Sequence, residues 1–207
     1  MLFQPHTVFA QEAQSNIERI KFGKPVLPTP PAGAGSDTAV GTALIIKAAY
    51  DSCASGYTHQ TASLGSCLRD YLSAQGYSDE YLNAFETRRG TGIADGCTQC
   101  VGFVGLVLTL MSGSTATVTG VNSAKEVLNS TTITAGSLVF EQISSSTPIQ
   151  PGDIGVSGDG TWGHILLVNT VEGNIKFTAL ESNGNFDCRV TDSRTILKEL
   201  YTFYRQR

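Results

Sequence analysis

The run CVGFVGLVLTLM, residues 100–111, constrains the fold more than any other stretch of this 207-residue chain. Wound as a helix, it carries apolar side chains on every side. A helix of that kind has to be covered by other elements all round, so it lies inside a domain rather than on its surface. The sequence therefore predicts a buried central helix that begins at Cys100, with the rest of the fold packed around it.

The hydrophobic pattern changes from helical to β-type across this central helix. Before it, TAVGTALIIKAAYDSC from Thr38 and SDEYLNAFETRR at 78–89 predict helices; the second has a Ser at its N-cap, acids in its first turn and Arg in its last. After it come β-branched runs broken by Gly, Asn and Pro, and VEGN inside HILLVNTVEGNIKFTALE indicates a hairpin. Helices followed by an antiparallel sheet predict an α+β fold.

The chain divides into three parts by composition. Residues 1–37 hold a weakly helical stretch and then the Pro-rich run KPVLPTPPAGAGSD, which stops regular hydrogen bonding and predicts a tether. We predict that residues 38–94 form a helical part packed on a catalytic core at 95–207. A tether of this kind holds a domain away from whatever precedes it, so we expect a leader or membrane anchor upstream of Met1.

Charge and hydropathy exclude several classes of partner. The net charge of −4 provides no basic stripe that could follow a phosphate backbone, so nucleic acid is not an expected partner. No stretch approaches 18 continuous apolar residues, and the start MLFQPHTVFAQ lacks the basic and apolar regions of a signal peptide. We predict no transmembrane segment in these residues; the oligomeric state stays open.

Five cysteines make an odd set, so at least one thiol is free or bonded to another chain. Cys53 and Cys67 bracket a Gly/Ser/Thr-rich connection that has few apolar residues of its own, and a disulfide would close it. Cys97 is most simply half of a second disulfide, with Cys188, the late cysteine, as its mate. Two disulfides would place the chain in an oxidising, extracytoplasmic setting; with none, the cysteines would be small buried apolar residues.

Cys100 is the residue best placed for nucleophilic chemistry. A catalytic thiol needs a thiolate, an imidazole within reach and a third group that orients the imidazole. Cys100 opens the central helix, where free N–H groups stabilise negative charge, and His164 opens the strand HILLV. Glu181 and Asn183 end the next strand, where either could face His164 across the hairpin. Each of these residues taken alone is more often structural.

Other interpretations of these residues are weaker. A metal site made of Cys97, Cys100 and His164 would have three ligands and no second C-x-x-C to complete it, and a thioredoxin-like redox pair would need a βαβ setting. We predict no metal and no cofactor. Trp162, close before His164, either lines a substrate groove by stacking or packs in the core.

Four motifs in order carry a family resemblance: QCVGFV at 99–104, PGDIGV at 151–156, GHILLV at 163–168 and ALESN at 179–183. Together they resemble the CHAP family of cysteine- and histidine-dependent amidohydrolases and peptidases, over about residues 95–204. The resemblance implies a papain-like α+β fold with the nucleophile helix packed on an antiparallel sheet. It implies Cys100 as nucleophile, His164 as general base and acid, and Glu181 as its orienting partner with Asn183 in support.

The same resemblance implies peptidoglycan, or its peptide fragments, as substrate, cut by an amidase or an endopeptidase. In that mechanism the Cys100 backbone N–H, with Gln99 as a second donor, would hold the oxyanion. The implied location is extracytoplasmic, either secreted or tethered at the cell surface. The alternative function is a wall-binding or scaffolding module that keeps the fold without turnover.

Overall fold

A computed structural model describes residues 38–54, 64–91, 93–94, 97–114, 116–121, 123–173 and 175–207; for residues 90, 91, 93, 94, 97, 119 and 120 it describes the backbone alone. The predicted tether at 1–37 lies outside the described residues. Within them the chain is a mixed α+β structure with an antiparallel seven-stranded sheet, which confirms the predicted fold class.

Among the described residues, three helices precede the central one: α1 (Ala39–Cys53), α2 (Gly65–Ala74) and α3 (Asp79–Thr91). Helix α1 begins where the sequence predicts, because Oγ1 of Thr38 accepts a hydrogen bond from the Gly41 N–H at 3.0 Å and caps the first turn. Helix α3 also matches its prediction to within two residues. Helix α2 was not predicted; it presents little more than Leu68 and Leu72 to the core, a weak apolar pattern.

The predicted central helix is α4 (Cys100–Ser112). Every residue from Gly102 to Leu110 is buried, including the hydroxyl-bearing Thr109. The helix ends at Gly113, which adopts a left-handed conformation with φ of 66° and donates its N–H to the Thr109 carbonyl. Helices α1 and α3 and one face of the sheet supply its cover, as an apolar helix of this kind requires.

A short two-stranded ladder, β1 (Ile93–Ala94) with β2 (Cys97–Thr98), leads into α4, and a four-residue helix α5 (Ala124–Val127) follows it. The main sheet comprises β3 (Thr132–Ala135), β4 (Leu138–Gln142), β5 (Ile154–Ser157), β6 (His164–Glu172), β7 (Lys176–Ser182), β8 (Val190–Leu197) and β9 (Thr202–Gln206). Its order is β3-β4-β9-β5-β6-β7-β8, and each adjacent pair is antiparallel.

Strand β6 explains why the sheet register is well specified. Its alternate residues Ile165 and Leu167 join the large core around α4, while Leu166 and Val168 join a smaller cluster on the other face. In that smaller cluster Phe177 packs edge-on against Phe203, with ring centroids 5.6 Å apart. Because both faces of β6 are buried, a slip of one residue would exchange two apolar sets that are shaped for different neighbours.

Cys53 and Cys67 form the predicted disulfide, which joins the last residue of α1 to the first turn of α2. Cys188 is also disulfide-bonded, and Cys100 is a free thiol. The side chain of Cys97 lies outside the described residues, so the Cys97–Cys188 pairing stays a prediction. A disulfide is compatible with an oxidising compartment. Among the described residues, no helix has both the length and the hydropathy to cross a bilayer.

The loop between β5 and β6 makes a close approach to the start of α5. Gly163 has φ of +69°, and a Cβ added to it would lie 2.5 Å from the Ser157 carbonyl oxygen and 3.0 Å from the Lys125 nitrogen. The Lys125 N–H itself donates to the carbonyl of Trp162 at 3.2 Å. Gly163 is therefore required both for its conformation and for its lack of a side chain, and it sets the position at which β6 begins.

We predict that Gly163→Ala destabilises the protein well beyond Gly160→Ala. Gly160 shares the φ of +69°, but a Cβ there meets nothing within 4 Å, so its substitution carries only the left-handed cost of about 1–2 kcal/mol. Gly163→Ala adds a clash with fixed backbone. Urea unfolding of both variants measures the difference. Equal free energies of unfolding would show that the close approach is not a constraint.

Candidate active site

The first turn of α4 is held by contacts from two other elements. Gln99 is the N-cap with extended backbone, and its carbonyl accepts the Phe103 N–H at 2.8 Å. The hydroxyl of Ser182, at the end of β7, donates to the carbonyl of Thr98 at 2.7 Å, and the Thr98 hydroxyl lies 3.0 Å from the hydroxyl of Tyr50 in α1. These buried hydrogen bonds fix the point at which Cys100 enters the helix.

His164 and Glu181 face each other across the β6–β7 hairpin. His164 is the first residue of β6 and Glu181 lies one residue from the end of β7, and His164 Nε2 is 2.6 Å from Glu181 Oε2. The sequence separation is the 17 residues that the predicted hairpin requires. The Glu181 side chain is 1% exposed and that of His164 is 18% exposed, so the pair lies at the edge of the interior.

Cys100 is hydrogen-bonded to the same imidazole. Because Glu181 lies at Nε2, we infer that the sulfur is on the Nδ1 side of the ring. Backbone hydrogen bonds from Val101 and Ile165 also reach the Cys100 sulfur. The three residues proposed from the sequence as nucleophile, base and orienting acid therefore form one continuous hydrogen-bonded chain.

The pKa values of the thiol and the imidazole move in opposite directions. Burial raises the pKa of Cys100, but its hydrogen bond to His164, the charge of the imidazolium and the backbone hydrogen bonds outweigh burial, so the pKa lies below its ordinary value. Burial lowers the pKa of His164, but hydrogen bonds and charge from Cys100 and Glu181 raise it to about 9. The arrangement favours a thiolate beside an imidazolium up to that pH.

Arg194 completes the chain on the far side of Glu181, and sequence reasoning missed it. Its Nε donates to Glu181 Oε1 and its Nη2 donates to Oε2, a two-bond clamp on one carboxylate. Burial raises the pKa of Glu181, but the bonds and charges of Arg194 and His164 outweigh burial and lower it. Arg194 lies in β8, whose polar sequence VTDSRTIL gave no strand signal, so its neighbour across the sheet was not anticipated.

Gly184 covers the same carboxylate from the loop that follows β7. A Cβ at Gly184 would lie 2.5 Å from Oε1 of Glu181 and 2.6 Å from its Cδ. The backbone of this loop can approach the buried acid only where no side chain intervenes. The Gly in the ESNGN segment is thus explained by close packing on Glu181, in addition to the turn that its composition suggests.

Asn183 supports Gln99. Its Nδ2 donates to Oε1 of Gln99 at 3.0 Å, and its Oδ1 accepts the Cys188 N–H at 3.0 Å. Asn183 itself adopts a left-handed conformation with φ of 56°. The resemblance had placed Asn183 behind Glu181 and His164; its described hydrogen bonds instead link the residue before the thiol to the loop that carries Cys188.

Two aromatic side chains project into solvent from the loops at this end of the sheet. Trp162, two residues before His164, is 65% exposed, so the alternative that it packs in the core is wrong. Phe186, in the loop after β7, is 90% exposed with φ of 57°; its Asn/Gly-rich surroundings gave no signal of a binding role. Within the described part of the chain, no three His, Cys, Asp or Glu side chains are grouped so as to hold a metal ion.

We predict that Cys100 is alkylated by iodoacetamide at a pH well below that of an ordinary cysteine, whose pKa is about 8.5. His164→Ala removes the two largest interactions that lower the pKa of the thiol and leaves burial, which raises it, opposed only by the backbone hydrogen bonds of Val101 and Ile165. The inflection of alkylation rate against pH should therefore move upward in that variant. Mass spectrometry of the Cys100 peptide gives the rate, and identical profiles for wild type and His164→Ala would contradict the coupled pair.

Comparison with known proteins adds no assignment to this geometry. No protein-family model matches the chain, and no curated protein matches it. We therefore infer the function from the positions of Cys100, His164, Glu181 and Arg194, together with the motif resemblance. These residues form a hydrogen-bonded chain around the buried carboxylate of Glu181, and the chain ends in a free thiol at a helix start.

Proposed function

We propose that this protein is a cysteine amidohydrolase or peptidase that cleaves an amide bond of peptidoglycan. The observation that carries the reaction type is the chain from the free thiol of Cys100 through His164 to Glu181. A thiol at a helix start, an imidazole on it and a buried carboxylate behind the imidazole are the parts that thiol acyl transfer needs. The substrate class and the papain-like arrangement rest on the resemblance to the CHAP family.

Acylation begins with the thiolate already formed. The Cys100 sulfur attacks the amide carbonyl carbon, a carbon–sulfur bond forms, and the carbonyl oxygen becomes an oxyanion. As the oxyanion collapses, the carbon–nitrogen bond breaks, and His164 gives its Nδ1 proton to the leaving amine. Glu181 keeps the ring oriented through Nε2 during both steps.

Deacylation returns the enzyme to its starting state. His164, now neutral, takes a proton from a water molecule as that water attacks the thioester carbon. The carbon–sulfur bond breaks, the acid product leaves, and the sulfur is again a thiolate beside an imidazolium. The sum is one amide and one water converted to one amine and one carboxylic acid, with no other reactant required.

The oxyanion is held at the start of α4. The backbone N–H of Cys100 is among the first N–H groups of the helix, which have no acceptor within the helix. It lies at the positive end of the helix dipole, which stabilises negative charge. Gln99 is the second proposed donor. The side-chain oxygen Oε1 of Gln99 accepts a hydrogen bond from Nδ2 of Asn183, which fixes the orientation of the Gln99 side-chain amide beside the thiol.

We also propose an extracytoplasmic location, either secreted or tethered at the cell surface. The Cys53–Cys67 disulfide and the bonded state of Cys188 support it, because such bonds persist in oxidising compartments. Peptidoglycan lies in the same setting, so the location and the substrate agree.

Purified protein should release new ends from isolated cell walls, and Cys100→Ala and His164→Ala should lower that rate by at least about a thousandfold because both remove a member of the reacting pair. Mass spectrometry of the products distinguishes the two bonds: new amino termini mean an endopeptidase, and separated glycan and peptide mean an amidase. Circular dichroism confirms that the variants fold. Wall binding without cleavage by the wild type would overturn the proposal in favour of a binding module.

Trp162→Ala should raise KM for cell-wall fragments by about two- to tenfold, the range expected for one lost aromatic contact of 0.5–1.5 kcal/mol. The alkylation profile of Cys100 should not change. Ile175→Ala is the matched control, because Ile175 is also apolar and 64% exposed but lies in the β6–β7 turn at the other end of the hairpin. An unchanged KM in Trp162→Ala, or an equal rise in the control, would remove Trp162 from the substrate groove.

A further inference from the structure

The buried carboxylate of Glu181 is shared between two cations on opposite sides. His164 Nε2 reaches Oε2 from β6, and the guanidinium of Arg194 reaches both oxygens from β8. The Glu181 side chain is 1% exposed, whereas that of Arg194 is 32% exposed. Arg194 therefore lies between the acid and solvent.

We propose that Arg194 is a positioning residue of the proposed reaction, which holds Glu181 in the ionised state and in the plane from which it orients His164. This inference rests on the proposed function for its catalytic consequence. Arg194 touches neither the sulfur nor the imidazole in the described contacts, so it acts through Glu181.

Arg194 reduces the free-energy cost of holding the buried Glu181 carboxylate in its ionised form. A carboxylate removed from water is unfavourable unless it is paired and hydrogen-bonded, and a neutral acid could not stabilise the imidazolium in the same way. His164 offers one hydrogen bond to one oxygen. Of the two bonds from Arg194, one satisfies the other oxygen, Oε1, and the second adds to that of His164 on Oε2. Arg194 also adds a permanent positive charge, since a guanidinium does not lose its proton in a protein.

Arg194 also fixes the orientation of the Glu181 carboxylate. Two parallel N–H bonds from a planar guanidinium fix the plane of the carboxylate, which a single bond or an ammonium group does not. That plane determines where Oε2 meets His164. Gly184 closes the remaining side of the acid, so the carboxylate has little room to rotate once Arg194 is in place.

Arg194 is itself held in place by a neighbouring side chain. It is hydrogen-bonded to Tyr201, whose ring packs edge-on against Phe177 of the smaller core cluster at a centroid distance of 5.9 Å. The other ionisable groups that act on the clamp are His164, which is also hydrogen-bonded to Cys100, and Tyr201, which interacts electrostatically with Asp159. From the thiolate outward, charges alternate in sign: Cys100, His164, Glu181 and Arg194.

Loss of Arg194 shifts the pKa values of Glu181, His164 and Cys100 in definite directions. Without the guanidinium, burial is opposed by His164 alone, so the pKa of Glu181 rises and the acid is protonated at higher pH than before. A neutral Glu181 no longer stabilises the imidazolium, so the pKa of His164 falls. Without the imidazolium, the pKa of Cys100 rises. The thiolate then appears only at higher pH.

The test compares Arg194→Met and Arg194→Lys with Arg205→Met. Arg205 is the matched control: its Nε and Nη2 each donate to Asp153 at 2.8 Å, the Asp153 side chain is 1% exposed, and the Arg205 side chain is 26% exposed. Arg205 therefore forms an equivalent two-bond clamp on an equally buried acid, Asp153, outside the candidate active site. A purely structural role would make the two Arg→Met variants alike.

We expect the alkylation inflection of Cys100 to rise by about one pH unit in Arg194→Met and by less in Arg194→Lys, which keeps the charge but not the fork. Arg205→Met should lose comparable stability in urea and keep the wild-type profile. On cell walls, Arg194→Lys should lower kcat with little change in KM. Wild-type alkylation profiles in the Arg194 variants would overturn the inference.

The two proposals fail separately. Alkylation reports the state of the thiol without any substrate, so it tests Arg194 even if the protein does not cleave peptidoglycan. If Arg194→Met does not fold, Arg194→Lys decides: an inflection above that of the wild type supports the inference, and an unchanged inflection overturns it. Cleavage that is normal in Arg194→Lys, with an unchanged profile, removes Arg194 from the mechanism while the proposed function stands.

Discussion

Burial of helix α4 against the sheet is the constraint on which the rest of the structure depends. Its apolar residues from Gly102 to Leu110 are covered all round, so the helix has one stable place in the fold. That place brings its first residue, Cys100, to the end of the sheet where β6 begins and β7 finishes. The hydrogen bonds from Ser182 and Tyr50 to Thr98 then fix the register of the helix start. The thiol of Cys100 is thus positioned by a helix whose buried residues belong to the large core.

The second constraint is electrostatic. Four groups of alternating charge lie in a row from the sulfur of Cys100 to the guanidinium of Arg194, and each inner member is flanked by opposite charge. Isolated burial would neutralise the thiolate, the imidazolium and the carboxylate alike. Together they keep one another ionised, so a low-dielectric site at the edge of the interior still holds a thiolate and an imidazolium. The outermost charge, on Arg194, is more exposed to solvent than the Glu181 carboxylate that it contacts.

Much of this arrangement could be predicted, because it depends on local pattern. The central helix, the capped helix α1, the Cys53–Cys67 bridge and the β6–β7 hairpin all have signals in a few adjacent residues. The hairpin spacing left Glu181 and Asn183 as the two residues that could face His164, and the family resemblance implied Glu181. Strand β8 was missed because only Val190 and Ile196 of its residues are buried, which leaves no alternation to detect. Arg194 was missed with it. Its role depends on pairing across the sheet and on the irregular register near Glu181, which no local pattern encodes.

The central claim is that Cys100 forms a covalent acyl intermediate, and rapid acid quenching during turnover of cell-wall fragments tests it most directly. Mass spectrometry of the quenched protein should show the mass of the acyl fragment added to the peptide that contains Cys100, and hydroxylamine should remove it, as it does a thioester. His164→Ala should accumulate little adduct because its thiol is not ionised. Steady product release with no added mass on Cys100, at a rate that survives Cys100→Ala, would contradict the account.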